Sequence, residues 1–300
     1  MNHYPSNIKE KLNSIILSMA EHHWLFSKNP GHDFTRQHLG KLSFYDTMRL
    51  IISMGKGSTN DEIMDYFDLD PDLIPSQSAF CQRRRQISLS AFEYLFSEFS
   101  SSFPSTTDKF KDHCILACDG CHVVYATNSD IIEDYNKPRL IDYKGYNHMH
   151  LNGFVDVISK AFLDVVIQPG QQPDEREALH SMLDHFTPDD PQKYIITADR
   201  GYESYDLLFH CELKNLGYVF RVKSPSSPKS ILSYYASELL DDLEEFDVTI
   251  KRFFTDKATN IMKSQSDVYR YINPSKNTPH FYELLRKKPQ SSLFPAVSRC

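Results

Sequence analysis

The chain is poor in cysteine and tryptophan, and it has no long apolar run. Six cysteines in 300 residues, at positions 81, 114, 118, 121, 211 and 300, are too few and too scattered for a disulfide framework. No stretch approaches the ~18 uncharged apolar residues of a membrane span. The start, Met1-Asn2-His3-Tyr4-Pro5, has neither the charged opening nor the apolar core of a signal peptide. The expected location is therefore the cytoplasm, with no membrane partner. Internal repeats and extended low-complexity segments are also missing.

Phe and Tyr are abundant, at 20 and 17 residues, and 40% of the chain is apolar, so a sizeable core can form. The net charge of −7 argues against a general nucleic-acid binder. Its distribution is uneven. Asp61 to Asp72 holds six acids and no base, whereas Lys257 to Cys300 holds eight Lys or Arg against Asp267 and Glu283.

Residues 1–107 read as helical. Leu42, Tyr45, Met48, Ile51 and Ile52 recur at helical spacing and stop at Gly55-Lys56-Gly57. Thr59-Asn60-Asp61-Glu62 fits a capping box for a second helix. Ser76 or Ser78 can cap a helix bearing Phe80 and Arg83-Arg84-Arg85, and Ser88 or Ser90 can cap another. Two short helices about a turn, the second basic, resemble a helix-turn-helix, with Arg83, Arg84 and Arg85 as candidate DNA contacts. The plainer reading is a helical bundle with a solvated basic face. Ser100 to Thr107 reads as a linker.

Residues 108–224 change period. Strands are expected at Cys114–Cys118, Leu151–Ile158, Phe162–Ile167, Tyr194–Ala198 and Tyr218–Val222. Helices are expected at Asp174–Phe186 and from Ser204 to Gly217. The order β-β-β-α-β-α-β implies an α/β fold, a mixed sheet with helices against it. Residues 225–300 read as charged, helical from Ser230 to Phe246 and then weakly β-like.

Two of those apolar runs end in an aspartate: Cys114-Ile115-Leu116-Ala117-Cys118 before Asp119, and Tyr194-Ile195-Ile196-Thr197-Ala198 before Asp199. Strand ends are where α/β sheets place their chemistry. Two carboxylates at ~4 Å repel by about 4 kcal/mol at an effective dielectric of ~20. A divalent cation or a shared proton relieves that. Asp119 and Asp199 are thus candidate metal ligands and catalytic residues. Cys118-Asp119-Gly120-Cys121-His122 also matches a haem-attachment pattern, but attachment normally needs an exported chain, and no second cysteine pair completes a zinc site.

Asp199-Arg200-Gly201-Tyr202-Glu203-Ser204 closely resembles a motif of bacterial insertion-sequence transposases of the DDE type. Asp119-Gly120 and Gly153-Phe154-Val155-Asp156 leading to Val166-Ile167-Gln168-Pro169-Gly170 resemble the same family. So does the Ser78-Ala79-Phe80 helix with its arginines. The likeness covers roughly residues 40 to 223. It implies a ribonuclease H-like core with Asp119 and Asp199 on Mg²⁺ or Mn²⁺, acting on phosphodiesters by in-line displacement. It implies DNA as partner, at the terminal repeats of the element, and allows a homodimer. Arg200 and Tyr202 would stand close to the DNA phosphates. Their plainer roles are a strand-end salt bridge and core packing.

The family's third acid is a glutamate in a Y-x2-R-x3-E-x6-K helix, and that motif is missing. Tyr269-Arg270 has the wrong spacing, Glu283 lacks the flanking Arg and Lys, and Glu203 belongs to the Asp199 motif. The expectation is a chain cut short inside the insertion that follows the second aspartate, binding metal weakly and inactive by itself. Two other readings compete. One is a non-catalytic DNA-binding remnant. The other is a phosphohydrolase with Asp119 as nucleophile, which wants a second Asp where Cys121 stands.

Overall fold

The computed structural model describes residues 4–35, 41–102, 109–137 and 145–224, together with 227, 230–231, 253–255, 260, 269–271 and 280. The chain divides into two compact units, 1–104 and 105–300.

The first unit is helical: α1 (Tyr4–Glu21), α2 (Phe44–Ser53), α3 (Thr59–Tyr66), α4 (Gln77–Gln86) and α5 (Leu89–Ser101). Local chemistry sets the starts. Ser43 and Asp46 form a reciprocal capping box on α2. The cap of α3 is Ser58, one residue before the Thr59 expected from sequence, and its hydroxyl accepts from Asp61 N–H at 3.2 Å. Ser76 caps α4 through Ala79 N–H. Ile16, Met19, Phe26, Phe44, Met48, Ala91 and Leu95 form one core, and Leu42, Leu50, Ile63 and Phe80 a second. A ten-residue connection, 67–76, joins α3 to α4, longer than the three or four residues usual in a helix-turn-helix.

The second unit is built on a mixed sheet. Its strands are β1 (Cys114–Tyr125), β2 (Tyr135–Asn136), β3 (Tyr146–Asp156), β4 (Phe162–Pro169), β5 (Tyr194–Ala198) and β6 (Gly217–Phe220). Two helices interrupt them, α6 (Glu175–His185) and α7 (Tyr205–Leu213). β3 lies antiparallel between β1 and β4, with the short β2 at its end. β1 then pairs parallel with β5, and β5 with β6. Three antiparallel strands followed by two parallel ones, with helices packed on the sheet, form a ribonuclease H-like domain. A separate pair, β7 (Phe253–Thr255) and β8 (Tyr269–Tyr271), runs parallel. The expected helix Ser230–Phe246 and the Glu283 segment fall outside the described residues, apart from 230–231.

Leu116, Cys118, Phe154 and Ile196 on the sheet meet Ala178, Leu179, Met182 and Leu183 of α6 and Leu207, Leu208 and Cys211 of α7. This apolar face fixes the register of every strand, since a slip by one residue would turn it to solvent. β1 outruns its apolar segment. It is buried at alternate positions as far as Cys118, and exposed residues dominate its outer half. Asp119 is therefore not the end of the strand, as its sequence suggests, but the point where the strand leaves the core.

Candidate active site

The sheet brings Asp119 and Asp199 together. β1 and β5 pair in parallel up to Cys118 opposite Ala198, so the two aspartates occupy the next position on neighbouring strands. Such strands lie about 4.8 Å apart. Cys118 and Ala198 are buried, and both aspartates are exposed. Each carboxylate is oriented by its own turn. Gly120 N–H donates to Asp119 Oδ1 at 2.9 Å, and Gly201 N–H to Asp199 Oδ1 at 2.7 Å. Among the described residues, neither Oδ2 accepts a hydrogen bond. Eighty residues of sequence separation thus collapse into one pair of exposed aspartates on adjacent central strands.

The family model described as Transposase DDE domain matches residues 110–299. The chain belongs to that family. No curated protein matches it. In this DDE domain the matched segment takes in both aspartates and the whole mixed sheet.

A third carboxylate stands beside the pair. Glu175 opens α6, whose N-cap Asp174 accepts from Arg176 and Glu177 N–H, both at 3.1 Å. Arg176 Nε donates to Gly201 O at 3.2 Å, tying the first turn of α6 to the Asp199 loop. A β-carbon added at Gly201 would lie 2.9 Å from Asp199 Oδ1 and 3.0 Å from Glu175 Oε2. The two oxygens are therefore no farther apart than the sum of those distances. At Gly120 the same carbon would lie 2.4 Å from His150 Nε2 and 3.0 Å from both Asn152 Oδ1 and Glu175 Oε1. His150 Nε2 also lies 3.4 Å from Glu175 Oε1.

Charge from these groups reaches the core. Burial, and secondarily the Asp119 and Glu175 carboxylates, raises the Cys118 thiol to about 12, although the nearby Tyr202 hydroxyl opposes the rise. Burial also raises the Tyr202 phenol, followed by Cys118, Glu175 and Asp119.

The other residues singled out from sequence divide. Arg200 is exposed beside Asp199 and, among the described residues, makes no ion pair, so the strand-end salt bridge is not formed. Tyr202 corrects the expectation of DNA contact. Its ring is fully buried in the sheet–helix core, out of reach of a phosphate. The aromatic residue of the D-R-G-Y turn anchors the loop from beneath. Glu203 is buried too. It accepts from Lys223 N–H, Ser230 Oγ–H and Ile231 N–H, and pairs with Lys223 Nζ at 3.2 Å. Its role is to hold the segment after β6. In the helical unit, Arg83 donates to Gln86 Oε1 at 3.1 Å and stacks over Phe34, and Arg84 lies over Phe80. Arg84 and Arg85 are exposed.

Sequence reasoning missed one further group. Among the described residues, the trio whose ligand atoms all lie within 4.8 Å of one another is His180, His210 and His280. Their rings are stacked, with interplanar angles of 17°, 4° and 13°. An imidazole lone pair lies in its ring plane, and three parallel planes do not meet at one ion, so this packing is a stack and not a ligand set. His180 Nδ1 and His210 Nδ1 stand 2.9 Å apart, where one donates and the other accepts. Burial and the neighbouring imidazoles hold His180 at about 4 and His210 at about 3. No helix among the described residues is long and apolar enough to cross a membrane.

Proposed function

We propose that this DDE domain binds a divalent cation, Mg²⁺ or Mn²⁺, between Asp119 and Asp199 and uses it to cleave and join DNA phosphodiesters at the ends of an insertion sequence. The observation that supports this is the parallel register of β1 and β5, whose last pair, Cys118 and Ala198, immediately precedes the two aspartates. The donor set fits. Paired carboxylate oxygens suit a hard cation that keeps several of its waters. When bound, the cation supplies charge stabilisation at the phosphate and a more acidic attacking hydroxyl.

The protein residues have separate tasks. Asp119 Oδ2 and Asp199 Oδ2 would serve as ligands, their partner oxygens held by the turn amides. Exposed Arg200 contacts a phosphate oxygen of the DNA, where a guanidinium offers two parallel donors. Arg84 and Arg85 of α4 add non-specific phosphate contacts in the helical unit.

Two measurements test the reading. Mn²⁺ at about ten times its dissociation constant stabilises the folded chain by about 1.4 kcal/mol. For a domain of this size that is a rise of about 3–6 °C in Tm. The wild-type chain shows the rise, and D119N and D199N do not. Duplex DNA carrying the segment that borders the gene is nicked in Mn²⁺ by the wild type and not by D119N. Equal Mn²⁺ stabilisation of all three proteins would refute the site.

A further inference from the structure

We propose that Glu175 supplies the third carboxylate of the cation site, from the first turn of α6, with the side-chain oxygen of Asn152 facing the same space. This rests on the reading of Asp119 and Asp199 as metal ligands and goes beyond it in naming a ligand outside both aspartate motifs.

Three observations converge. First, one Glu175 oxygen neighbours Asp199 Oδ1 across Gly201 and the other reaches over Gly120, the residue after Asp119. The carboxylate lies between the two glycines, Gly120 and Gly201, that follow the aspartates. Second, the position is built. The Asp174 cap sets the start of α6, and Arg176 pins that turn to Gly201 O. Third, buried polar atoms face the same place without partners. Asn152 is fully buried, and its Nδ2 donates to Val166 O and Gln168 Oε1, which fixes the amide orientation. Its Oδ1 points toward Gly120 and Glu175 with no hydrogen bond. His150, 3% exposed, also has both ring nitrogens without a hydrogen bond, and its Nε2 is turned toward Glu175. A buried acceptor left unmatched is costly. A hydrated cation beside Glu175 gives Asn152 Oδ1 a donor in the form of a bound water.

The three carboxylates do not form a group as tight as the histidine trio. The Glu175 side chain is 36% exposed, and a change of its own rotamer would carry the carboxylate inward. Asp119, Asp199 and Glu175 together offer a hard divalent ion more oxygen ligands and more ligand charge than two carboxylates do. Gly120 and Gly201 are the residues whose missing side chains leave Glu175 its two positions.

The test is an Mn²⁺ titration of the full chain, read by the electron paramagnetic resonance signal of free Mn²⁺, with Tm in EDTA as a folding control. D119N, E175Q and E175D are compared with E177Q, which removes the same charge from an exposed position on α6. Loss of a group that only supports a ligand already costs 10–100-fold in metal affinity, so D119N and E175Q each weaken binding at least about tenfold. E175D recovers part of the loss, and E177Q leaves affinity unchanged. If D119N weakens binding and E175Q does not, Glu175 is not a ligand and the aspartate site stands. Equal losses in E175Q and E177Q reduce the effect to helix charge and overturn the proposal. Absence of Mn²⁺ binding in the wild type, or its persistence in D119N, overturns both readings.

Discussion

Replacing Gly120 by Ala puts one methyl group at the junction of the site. The backbone tolerates it, because Gly120 does not have a positive φ. The cost is steric. The added carbon stands 2.4 Å from His150 Nε2 and 3.0 Å from Asn152 Oδ1 and Glu175 Oε1. Asn152 is fully buried and bonded to β4, so it yields little. His150 is 3% exposed and must shift by about 1 Å to reach an ordinary contact. Overpacking of this kind costs about 1–3 kcal/mol, offset by roughly 0.5–1 kcal/mol from the lower chain entropy of Ala in a strand. The net loss, up to about 2.5 kcal/mol, lowers Tm by up to about 10 °C for a unit of this size. Glu175 is the most exposed of these three neighbours, so the methyl displaces it and moves it away from Asp199, and the Tm rise given by Mn²⁺ should shrink. Thermal unfolding in EDTA and then in Mn²⁺ separates the two effects. An unchanged Tm together with an unchanged Mn²⁺ response would show that these groups do not crowd Gly120.

Two other expectations follow from charge. Folded His180 and His210 stay neutral down to about 4 and about 3, whereas unfolded histidine takes its proton near 6.5. The unfolded chain therefore binds more protons below 6.5. Stability is full above that pH, falls as the pH drops toward 4 and then 3, and levels off below. Each tenfold change in proton affinity is about 1.4 kcal/mol, so the loss amounts to a few kcal/mol, moderated by Asp206 and Asp184 beside the rings. Urea unfolding at pH 7.5 and pH 5 measures it, and equal midpoints for wild type and H180Q/H210Q across that range would contradict it. Replacing Arg84 and Arg85 by Ala should weaken binding to duplex DNA at low salt and flatten its salt dependence, by roughly one unit of slope for each phosphate that is no longer neutralised. Fluorescence anisotropy at several salt concentrations reads this, and an unaltered slope would remove α4 from the DNA surface.

Much of the second unit was legible in the sequence because its periods are clean. The short apolar runs of β1, β3 and β5 and the apolar stripe of α6 give the element order, and the parallel register of β1 and β5 then brings Asp119 and Asp199 to neighbouring positions. The extension of β1 to Tyr125 was hidden because its outer half is polar and exposed, without the apolar signal that marks a buried strand. Tyr202 was misjudged because a tyrosine next to an arginine and an aspartate has the composition of a phosphate site. Only packing shows its ring turned inward. Glu175 carries no mark in sequence at all. It sits in an acidic helix start, Asp174-Glu175-Arg176-Glu177, which has the composition of an ordinary capped N-terminus. A search by Y-x2-R-x3-E spacing passes over it. His180, His210 and His280 meet through tertiary packing alone, 30 and 70 residues apart.

The most direct measurement is the anomalous scattering of Mn²⁺ in crystals of the full chain. The peak should lie between the carboxylates of Asp119 and Asp199, within coordination distance of both, and vanish in D119N. A chain that binds Mn²⁺ with its peak at the histidine stack, or anywhere that leaves those two aspartates unligated, would contradict the account.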